Sequence, residues 1–577
     1  MRKNNETISK LFLARQEFIL VGLTGRTGSG CTTAANILES DASFPDVSSV
    51  RTEGEPFYKG NDARRYSILK KYAQQNFKKF YSIKVSDLIS AYFLSRDPPE
   101  VAKFIAQSHP GGINENMILQ SLLGGSFSKM KKAPNFQSVL GKILNHDAPI
   151  ALTESEKKKF LQFLGMARSF TQKFKNELNT IDSDLYIYTY QAAGNSIRRR
   201  GYIDVNYKER EFIPDNIYHL PETINRIIKL LRKIKGDVFI VIDAIRNPYE
   251  ARFFKDRYAA FYLISVNAPN DDRKTYLQNV HKFSVEKFDE IEKRESGKTK
   301  ISNADFVSQN VKKCIEMADI HLFNPRNELE NNNVLKAQLA WYFALMLHPG
   351  LVSPRTIERV MQVAYTAKSN SGCISRQVGA VVTDENNSIK AIGWNDVAKG
   401  QVPCSLRSLK GLLNDFDEIA YSRYERNSEE FRTRAKDQYI AITTADKSSG
   451  RNHAYCFKDI KNNIDSKGNQ VHTRALHAEE NAFLQLTKHG GMGVIGGKLY
   501  TTASPCELCA KKAYQLGIKE IVYIDPYPGI ATDHIISIGE NPPGLIQFMG
   551  AVGKGYHQLY EPILPYKDEL DYLLSND

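Results

Sequence analysis

The sequence has no apolar run that approaches the roughly 18 residues that a membrane-spanning helix needs. The N-terminal stretch, residues 1–6, is basic but lacks the apolar core and the cleavage site of a signal peptide. No internal repeat is visible along the chain. These absences argue against a membrane protein and against a repeat array, and we expect the protein to be cytoplasmic.

The composition is that of an ordinary globular protein. Of its residues, 42% are hydrophobic and 25% are charged, so we do not expect disorder. The length of 577 residues predicts two to four domains. Lys and Arg exceed Asp and Glu by 78 − 65 = 13. That excess suits anionic partners such as nucleotides or nucleic acid, although a basic soluble protein with no such partner would look the same.

Cysteine is scarce in the first 370 residues, where Cys31 and Cys314 stand alone. The other five cysteines all lie after residue 370, and they are Cys373, Cys404, Cys456, Cys506 and Cys509. In a reducing compartment such a cluster indicates metal binding before it indicates disulfides.

The hydrophobic pattern predicts an α/β protein with two domains. Apolar runs at 18–23, 237–243 and 261–266 alternate with helical stretches at 32–39 and 222–234, which indicates a parallel sheet. The other segments that matter are a predicted insertion or loop at 106–135 and a polar, turn-rich linker at 324–333. We therefore predict domains at 1–330 and 331–577.

The second predicted domain contains four strands and three helices. The strands are expected at 378–382, 391–394, 498–502 and 520–524, and the helices at 334–347, 475–488 and 506–516. Gly517 follows the last of these helices, where a glycine commonly ends a helix in the left-handed conformation.

The clearest chemical motif is His477-Ala478-Glu479 followed by Pro505-Cys506-Glu507-Leu508-Cys509. This H-x-E and P-C-x-x-C pattern is the signature of zinc deaminases. The two cysteines are three residues apart, on one face of a helix whose N-terminus favours thiolates. With His477 they supply three zinc ligands and leave a fourth tetrahedral position for water, as catalytic zinc sites do.

Glu479 is the predicted catalytic residue. It lies two residues from His477, so it can reach the same pocket without binding the metal. The metal would activate the water that attacks C4 of cytosine, and Glu479 would carry protons to N3 and to the departing ammonia. A closed structural zinc site and a C-x-x-C without function are the alternatives. A closed site needs a fourth protein ligand, and none is obvious.

From these motifs onward the sequence resembles the deoxycytidylate deaminase family, over most of residues 355–565. The segments that carry the resemblance are 375–381, 393–395, 477–482, 505–511, 517–518 and 521–523. The resemblance implies a cytidine-deaminase-like α/β/α domain, a Zn²⁺ cofactor, a deoxycytidine-nucleotide substrate and a homo-oligomer. It also implies that Asn395 contacts the nucleotide sugar, the alternative being a turn residue after a strand.

The resemblance further implies a second, structural zinc. Cys373 and Cys404 fall where two of the family's cysteines lie, and His472 would be a third ligand, unless the three are unrelated. The sequence departs from the family in two places. Asp396 replaces a glycine tied to effector binding, and the stretch between Cys404 and His472 is longer than usual, which could admit a triphosphate.

A phosphate-binding loop is predicted near the N-terminus, after an apolar strand and before a helix. Its residues are Gly25, Gly28, Ser29, Gly30, Cys31 and Thr32, and Asp243 resembles the carboxylate that holds Mg²⁺ in such sites. Cys31 stands where phosphoryl transfer requires lysine. We therefore expect nucleotide binding without kinase turnover, the alternative being a glycine-rich turn that has lost its ligand.

Segments 194–201 and 243–250 resemble nucleoside-monophosphate and dephospho-coenzyme A kinases, which implies a P-loop kinase-like domain. Joined to the deaminase, this resembles the bacterial anti-phage deoxycytidine-nucleotide deaminases, which deplete dCTP and dCMP and some of which a small RNA inhibits. Three other functions stay open: a housekeeping deoxycytidylate deaminase in thymidylate supply, a polynucleotide cytosine deaminase, and a non-enzymatic sensor.

Overall fold

The computed structural model describes residues 2–41, 43–281, 283–295, 306–326, 332–414, 417–445, 450–468, 470–490, 493–524 and 531–575. The chain forms two compact units. The first comprises Met1–Ser353 together with Lys554–Asp577, and the second comprises Pro354–Gly553.

The first unit contains a parallel β-sheet, as the alternation of strands and helices predicts. Its strands lie in the order Ile320–Phe323, Phe261–Asn267, Phe18–Thr24, Val238–Asp243 and Phe80–Lys84. Every neighbouring pair is parallel, and the three middle strands are buried along their whole length. After the central strand Phe18–Thr24, the chain first adds the two strands on one side of it and later the two strands on its other side. Ligands of open α/β sheets bind at the carboxyl ends of strands at such a switch point.

Helices make up most of the remainder of the first unit. They are Arg2–Glu17, Cys31–Glu39, Asn61–Asn76, Val85–Leu94, Pro98–Ser108, Glu115–Gly124, Ser126–Lys131, Pro134–Leu144, Glu154–Ile181, Leu185–Arg200, His219–Lys235, Pro248–Arg257, Asn270–His281, Val285–Glu295, Val311–Glu316, Asn333–Leu347, Gly553–Tyr560, which begins at the boundary, and Tyr566–Leu574. Short 3₁₀ helices cover Val47–Ser49 and Pro214–Tyr218, and a small hairpin pairs Arg51–Thr52 with Glu55–Pro56.

The predicted loop at 106–135 is wrong. The structure places most of this segment in helices, and its apolar side chains, among them Ile118, Leu122 and Phe127, are buried in the core of the first unit. The glycines and lysines that suggested a loop lie at helix ends and on exposed surface. Burial of an apolar face stabilises these short helices more than composition disfavours them.

The predicted domain boundary at 330/331 also differs from the structure. The helix Asn333–Leu347 is buried on nearly every side within the first unit, where Trp341 stacks on Tyr58 with ring centroids 5.2 Å apart. The last helix joins the same unit, because Glu569 accepts a hydrogen bond from His348 at 3.1 Å. A helix that is apolar all round must be buried, so it cannot serve as the exposed start of a second domain. Residues 327–331 of the predicted linker lie outside the described residues.

The second unit contains a mixed sheet in the order Gly544–Gln547, Glu520–Tyr523, Lys498–Thr501, Gly379–Thr383 and Ile389–Trp394. The first three strands are parallel and the last two pair antiparallel. Its helices are Thr356–Ala367, Leu409–Leu413, Arg423–Asn427, Glu429–Ala445, Phe457–Asp465, Ala478–His489 and Glu507–Gln515. The remaining elements are a short strand Gly550–Ala551, 3₁₀ turns Lys368–Asn370 and Cys404–Leu406, and a π-helical turn Thr532–Ile536.

The long stretch between Cys404 and His472 forms a small helical layer with a core of its own. Leu409, Leu412 and Phe431 belong to this core. Arg407 and Glu425 form an ion pair inside it, and both side chains are 0% exposed. The Tyr455 hydroxyl donates to Glu425 at 2.6 Å. The insertion is therefore a folded layer and not a loose loop.

The four predicted strands of the second unit are all present, each within two residues of its expected ends. Gly517 has a φ of 69° after the helix Glu507–Gln515, as the helix-ending pattern predicts. Among the helices in the described part of the chain, none combines the length and apolar character needed to cross a membrane.

Candidate metal centre

The three predicted zinc ligands stand at the starts of two helices. His477 occupies the N-cap position of the helix Ala478–His489, and Cys506 occupies the N-cap position of Glu507–Gln515. Cys509 lies in the first turn of the second helix. The sequence pattern placed His477 and Cys506 inside helices, whereas the structure places them one residue ahead. The positive ends of both helices therefore face the ligands, which favours thiolates.

The ligand atoms are spaced as a tetrahedral zinc requires. The Nδ1 atom of His477 lies 3.3 Å from the Cys506 Sγ and 3.5 Å from the Cys509 Sγ. Zn–N and Zn–S bonds at a tetrahedral angle separate nitrogen and sulfur by about 3.6 Å. Among the described residues, no second group of three His, Cys, Asp or Glu side chains comes together in this way. The residues present therefore fit a zinc ion with one position left open.

The two thiols differ in their affinity for a proton. The Cys509 thiol and the His477 ring both hydrogen-bond to Cys506, and they lower the pKa of Cys506 to about 3 against the effect of burial. The hydrogen bond to Cys506 and burial both raise the pKa of Cys509. Cys506 is thus ready to act as a thiolate, and binding of a divalent cation would release the proton of Cys509.

Glu479 lies beside the ligands, and its carboxylate contacts both Thr501 and Cys509. It is 4% exposed, and its Oε1 accepts a hydrogen bond from Thr501 Oγ1 at 2.9 Å. Its Oε2 is 3.7 Å from the Cys509 Sγ. Burial raises the pKa of Glu479 despite the hydrogen bond from Thr501. A buried carboxyl group with a raised pKa next to a metal site is suited to accept and return a proton.

A close contact between a strand and a helix holds this site together. A Cβ atom on Gly393 would lie 2.2 Å from the carbonyl oxygen of Ala478, so only glycine permits the strand Ile389–Trp394 to approach the helix of His477. The Asn481 side chain donates to the Trp394 carbonyl at 3.0 Å. The Asp396 carbonyl accepts from the Leu476 N–H at 2.8 Å. These bonds fix the backbone on both sides of His477.

Asn395 is buried and holds the neighbouring backbone. Its Oδ1 accepts from the Val378 N–H at 2.7 Å, and its Nδ2 donates to the Arg376 carbonyl at 2.6 Å. The structure thus gives this side chain a positioning role, which is close to the alternative interpretation of a residue that shapes a turn. A contact with the substrate sugar stays a prediction.

The predicted ligands of a second zinc do not form a three-ligand group within the described residues. His472 lies 3.6 Å from Asp465 instead. The group of this kind found among the described residues contains neither Cys373 nor Cys404, and burial raises the pKa of the Cys404 thiol. A second zinc stays a prediction.

Comparison with known proteins bears on the same residues. Residues 354–525 match the model of the cytidine and deoxycytidylate deaminase zinc-binding region. Residues 354–525 are called the deaminase region below, after the model that they match. The match confirms the predicted enzyme class, a hydrolytic deaminase of deoxycytidylate type, and its predicted Zn²⁺ cofactor.

Two curated relatives and one solved structure show the extent of the similarity. The deoxycytidylate deaminase of Enterobacteria phage T2 is 29% identical over 170 residues, which cover 29% of this chain and 79% of the relative. That of phage T4 is 28% identical over 169 residues, covering 29% and 77%. The crystal structure of a cyanophage S-TIM5 dCMP deaminase in complex with dCMP and dUMP is 21% identical, with a TM-score of 0.19, and covers 33% of this chain and 94% of that one.

Outside the deaminase region, the predicted phosphate loop has the backbone that such a loop needs. It joins the strand Phe18–Thr24 to the helix Cys31–Glu39, and Gly28 and Gly30 have φ values of 85° and 109°. The Asn324 side chain donates to the Ser29 carbonyl at 2.7 Å. A Cβ atom on Gly30 would lie 2.2 Å from the Asn324 Nδ2, so a larger residue there would be strained at this φ and would force Asn324 to shift.

Two of the residues predicted for this site, Thr32 and Asp243, contact each other. Thr32 Oγ1 donates to Asp243 Oδ2 at 2.9 Å. Burial and the nearby Asp243 raise the pKa of the Cys31 thiol to about 12, so this residue is neutral where a lysine would be cationic. A cavity of about 290 Å³ adjoins them and is lined by residues that include Thr27, Thr32, Asp243 and Arg246. Nucleotide binding here stays a prediction.

Proposed function

We propose that this chain hydrolyses the C4 amino group of deoxycytidine nucleotides, dCMP or dCTP or both, to give deoxyuridine nucleotides and ammonia. One observation carries the proposal: three zinc ligands and the buried Glu479 converge within the deaminase region. The names of the phage relatives, both deoxycytidylate deaminases, support this substrate class.

The residues divide the chemistry between them. When bound by His477, Cys506 and Cys509, zinc supplies the Lewis acidity that activates water at neutral pH. Glu479 takes a proton from that water, delivers it to N3 of the ring and passes a proton to the leaving ammonia. Thr501 orients the carboxyl group through its hydrogen bond to Oε1. The low exposure of Glu479 keeps bulk water from competing for the proton.

We further propose that the reaction depletes deoxycytidine nucleotides in defence against phage, with the first unit controlling the deaminase. The presence of a phosphate loop without its lysine in the same chain supports this role, because a binding loop that cannot transfer phosphate suits regulation. Inhibition by a small RNA is the form of control that the family resemblance suggests. A housekeeping enzyme would need only the deaminase region. The housekeeping alternative therefore does not explain why the chain contains the first unit.

A substrate panel tests the activity. Purified full-length protein is incubated with dCTP, dCMP, CTP and a cytosine oligonucleotide, and uracil-containing products are separated by chromatography. We expect product from one or both deoxynucleotides and none from Glu479→Gln. Deamination of the oligonucleotide alone would contradict the proposal and favour a polynucleotide deaminase, which the net charge of +13 permits.

A further inference from the structure

The phosphate loop of the first unit already holds an anion, and the anion is a side chain of the same unit. The carboxylate of Glu295 accepts from the Thr27 N–H at 3.1 Å and from the Thr27 hydroxyl at 2.5 Å. It also accepts from Arg246 Nη1 at 2.7 Å. Glu295 is 1% exposed, so this is an enclosed contact and not a surface ion pair.

These donors are of the kinds that bind phosphate. A loop N–H, a hydroxyl and an arginine are the groups that proteins direct at phosphate oxygens. A carboxylate offers the same acceptor-only oxygens and the same sign of charge. A phosphate that used the Thr27 N–H and Arg246 would meet the Glu295 carboxylate at hydrogen-bond range, where two anions repel. The loop can therefore hold one of the two, but not both.

The remainder of the site is built for a magnesium-bound phosphate. Thr32 and Asp243 form the hydroxyl–carboxylate pair that holds Mg²⁺ next to such loops, and their oxygens are 2.9 Å apart. The adjoining cavity of about 290 Å³ is lined by both residues and by Arg246. That volume is close to the lower limit of small-molecule pockets. Glu295 thus lies at one side of a site that is otherwise formed.

A second carboxylate fastens the segment that carries Glu295. This segment is the helix Val285–Glu295, and Glu292 lies one turn before Glu295. Glu292 accepts from Arg26 at 2.5 Å and from Arg273 at 2.6 Å. Arg26 belongs to the phosphate loop, so the helix contacts the loop through both glutamates. Displacement of Glu295 would loosen the end of this helix from the loop.

We propose that Glu295 is a built-in competitor for the phosphate loop. A nucleoside di- or triphosphate with Mg²⁺ enters by displacing the carboxylate, takes over Arg246 and the Thr27 N–H, and releases the C-terminal end of the helix Val285–Glu295. Ligand binding is thereby converted into movement of a helix. This proposal concerns the first unit alone and does not depend on the deaminase activity.

Calorimetric titration of the full-length protein with inorganic tripolyphosphate and Mg²⁺ tests the competition. Glu295→Gln keeps the size of the side chain and removes its charge. We expect this variant to bind tripolyphosphate about tenfold or more tightly than the wild type, because the competing state is weakened. Glu286→Gln is the matched control, since Glu286 lies on the same helix with an exposed side chain, and it should bind as the wild type does.

Hydrogen exchange of the wild type gives a second readout that needs no variant. We expect the amides at the C-terminal end of Val285–Glu295 to exchange faster when tripolyphosphate and Mg²⁺ are added. Three results would each overturn the proposal: equal affinities of wild type and Glu295→Gln, no saturable binding by either folded protein, or binding that leaves the exchange of this helix unchanged.

Discussion

The metal centre of the second unit and the phosphate loop of the first unit are both built at helix starts, yet they differ in completeness. The metal centre has every group that the proposed chemistry requires: His477, Cys506 and Cys509 as ligands and Glu479 as a proton carrier. The phosphate loop has its glycines and its Thr32–Asp243 pair, but Cys31 replaces the lysine and Glu295 occupies the loop donors. Under the proposed function, the first of these sites serves catalysis and the second serves binding and control.

The largest expected effect in this comparison follows from removal of a zinc ligand. Cys506→Ala or Cys509→Ala leaves two protein ligands, which cannot hold a catalytic zinc well. We expect loss of one equivalent of zinc by atomic emission and deamination below detection. Cys314→Ala, in the first unit, is the control and should retain both. A Cys506→Ala protein with full zinc content and normal turnover would contradict the assignment of these residues as ligands of a catalytic zinc.

Glu479→Gln should reduce turnover strongly and leave the metal in place. A positioned general acid–base group contributes about 10²–10⁴-fold, and the amide cannot replace it. Glu385→Gln provides the control, because Glu385 is exposed and has no part in the proposed proton transfer. Zinc content and kcat are measured for both. Loss of less than tenfold in Glu479→Gln would rule out its proton-carrying role.

The insertion of the second unit should be sensitive to its buried ion pair. Glu425→Gln leaves the fully buried Arg407 without its carboxylate partner, which typically costs about 3–5 kcal/mol. Urea denaturation measures the loss in the free energy of unfolding. The exposed Glu430→Gln should change it by less than about 0.5 kcal/mol. Equal stabilities of the two variants would show that Tyr455 and the surrounding core suffice to hold the layer.

The first unit should lose stability in mild acid because of His219. Burial and the neighbouring His146 lower the pKa of His219 to about 3, and the two rings stack with centroids 4.0 Å apart. The unfolded chain takes up a proton below about pH 6.5, whereas the folded chain does not until far lower. The stability is therefore complete above pH 6.5 and falls as the pH drops toward 3.

Between pH 6.5 and 5, protonation of His219 in the unfolded chain should lower the free energy of unfolding by about 1–2 kcal/mol. Thermal unfolding of the wild type and of His219→Phe across this range measures the effect, and the variant should show a flatter dependence on pH. His557→Gln, at an exposed position, should follow the wild type. Parallel curves for His219→Phe and wild type would mean that other groups determine the acid sensitivity.

The two sites also show what the sequence could predict. The metal ligands lie within two short segments that each begin a helix, and the motif formed by these two segments predicts their convergence. The strand Val238–Asp243 and the loop at 25–32 were likewise predictable from local apolar and glycine patterns. These features depend on residues close together in the chain, and local patterns report them well.

Features that depend on distant residues could not be predicted in this way. Glu295 is 268 residues from Thr27, and no motif marks a glutamate as the partner of a phosphate loop. The helices within 106–135 depend on burial of Ile118 and Phe127 against other elements. The helix Asn333–Leu347 was predicted correctly, but its assignment to the first unit rests on contacts such as Trp341 with Tyr58. Tertiary packing decides each of these cases.

One measurement tests the central claim most directly. The protein is stripped of metal with a chelator, and half of the stripped sample is reloaded with Zn²⁺. The stripped and the reloaded samples are then incubated with dCMP and dCTP, and deoxyuridine nucleotide and ammonia are quantified. The account predicts product from the zinc-loaded protein, ammonia in equal amount, and almost none from the stripped protein. A zinc-loaded protein that leaves both nucleotides unchanged, or a stripped protein that deaminates them as fast, would contradict it.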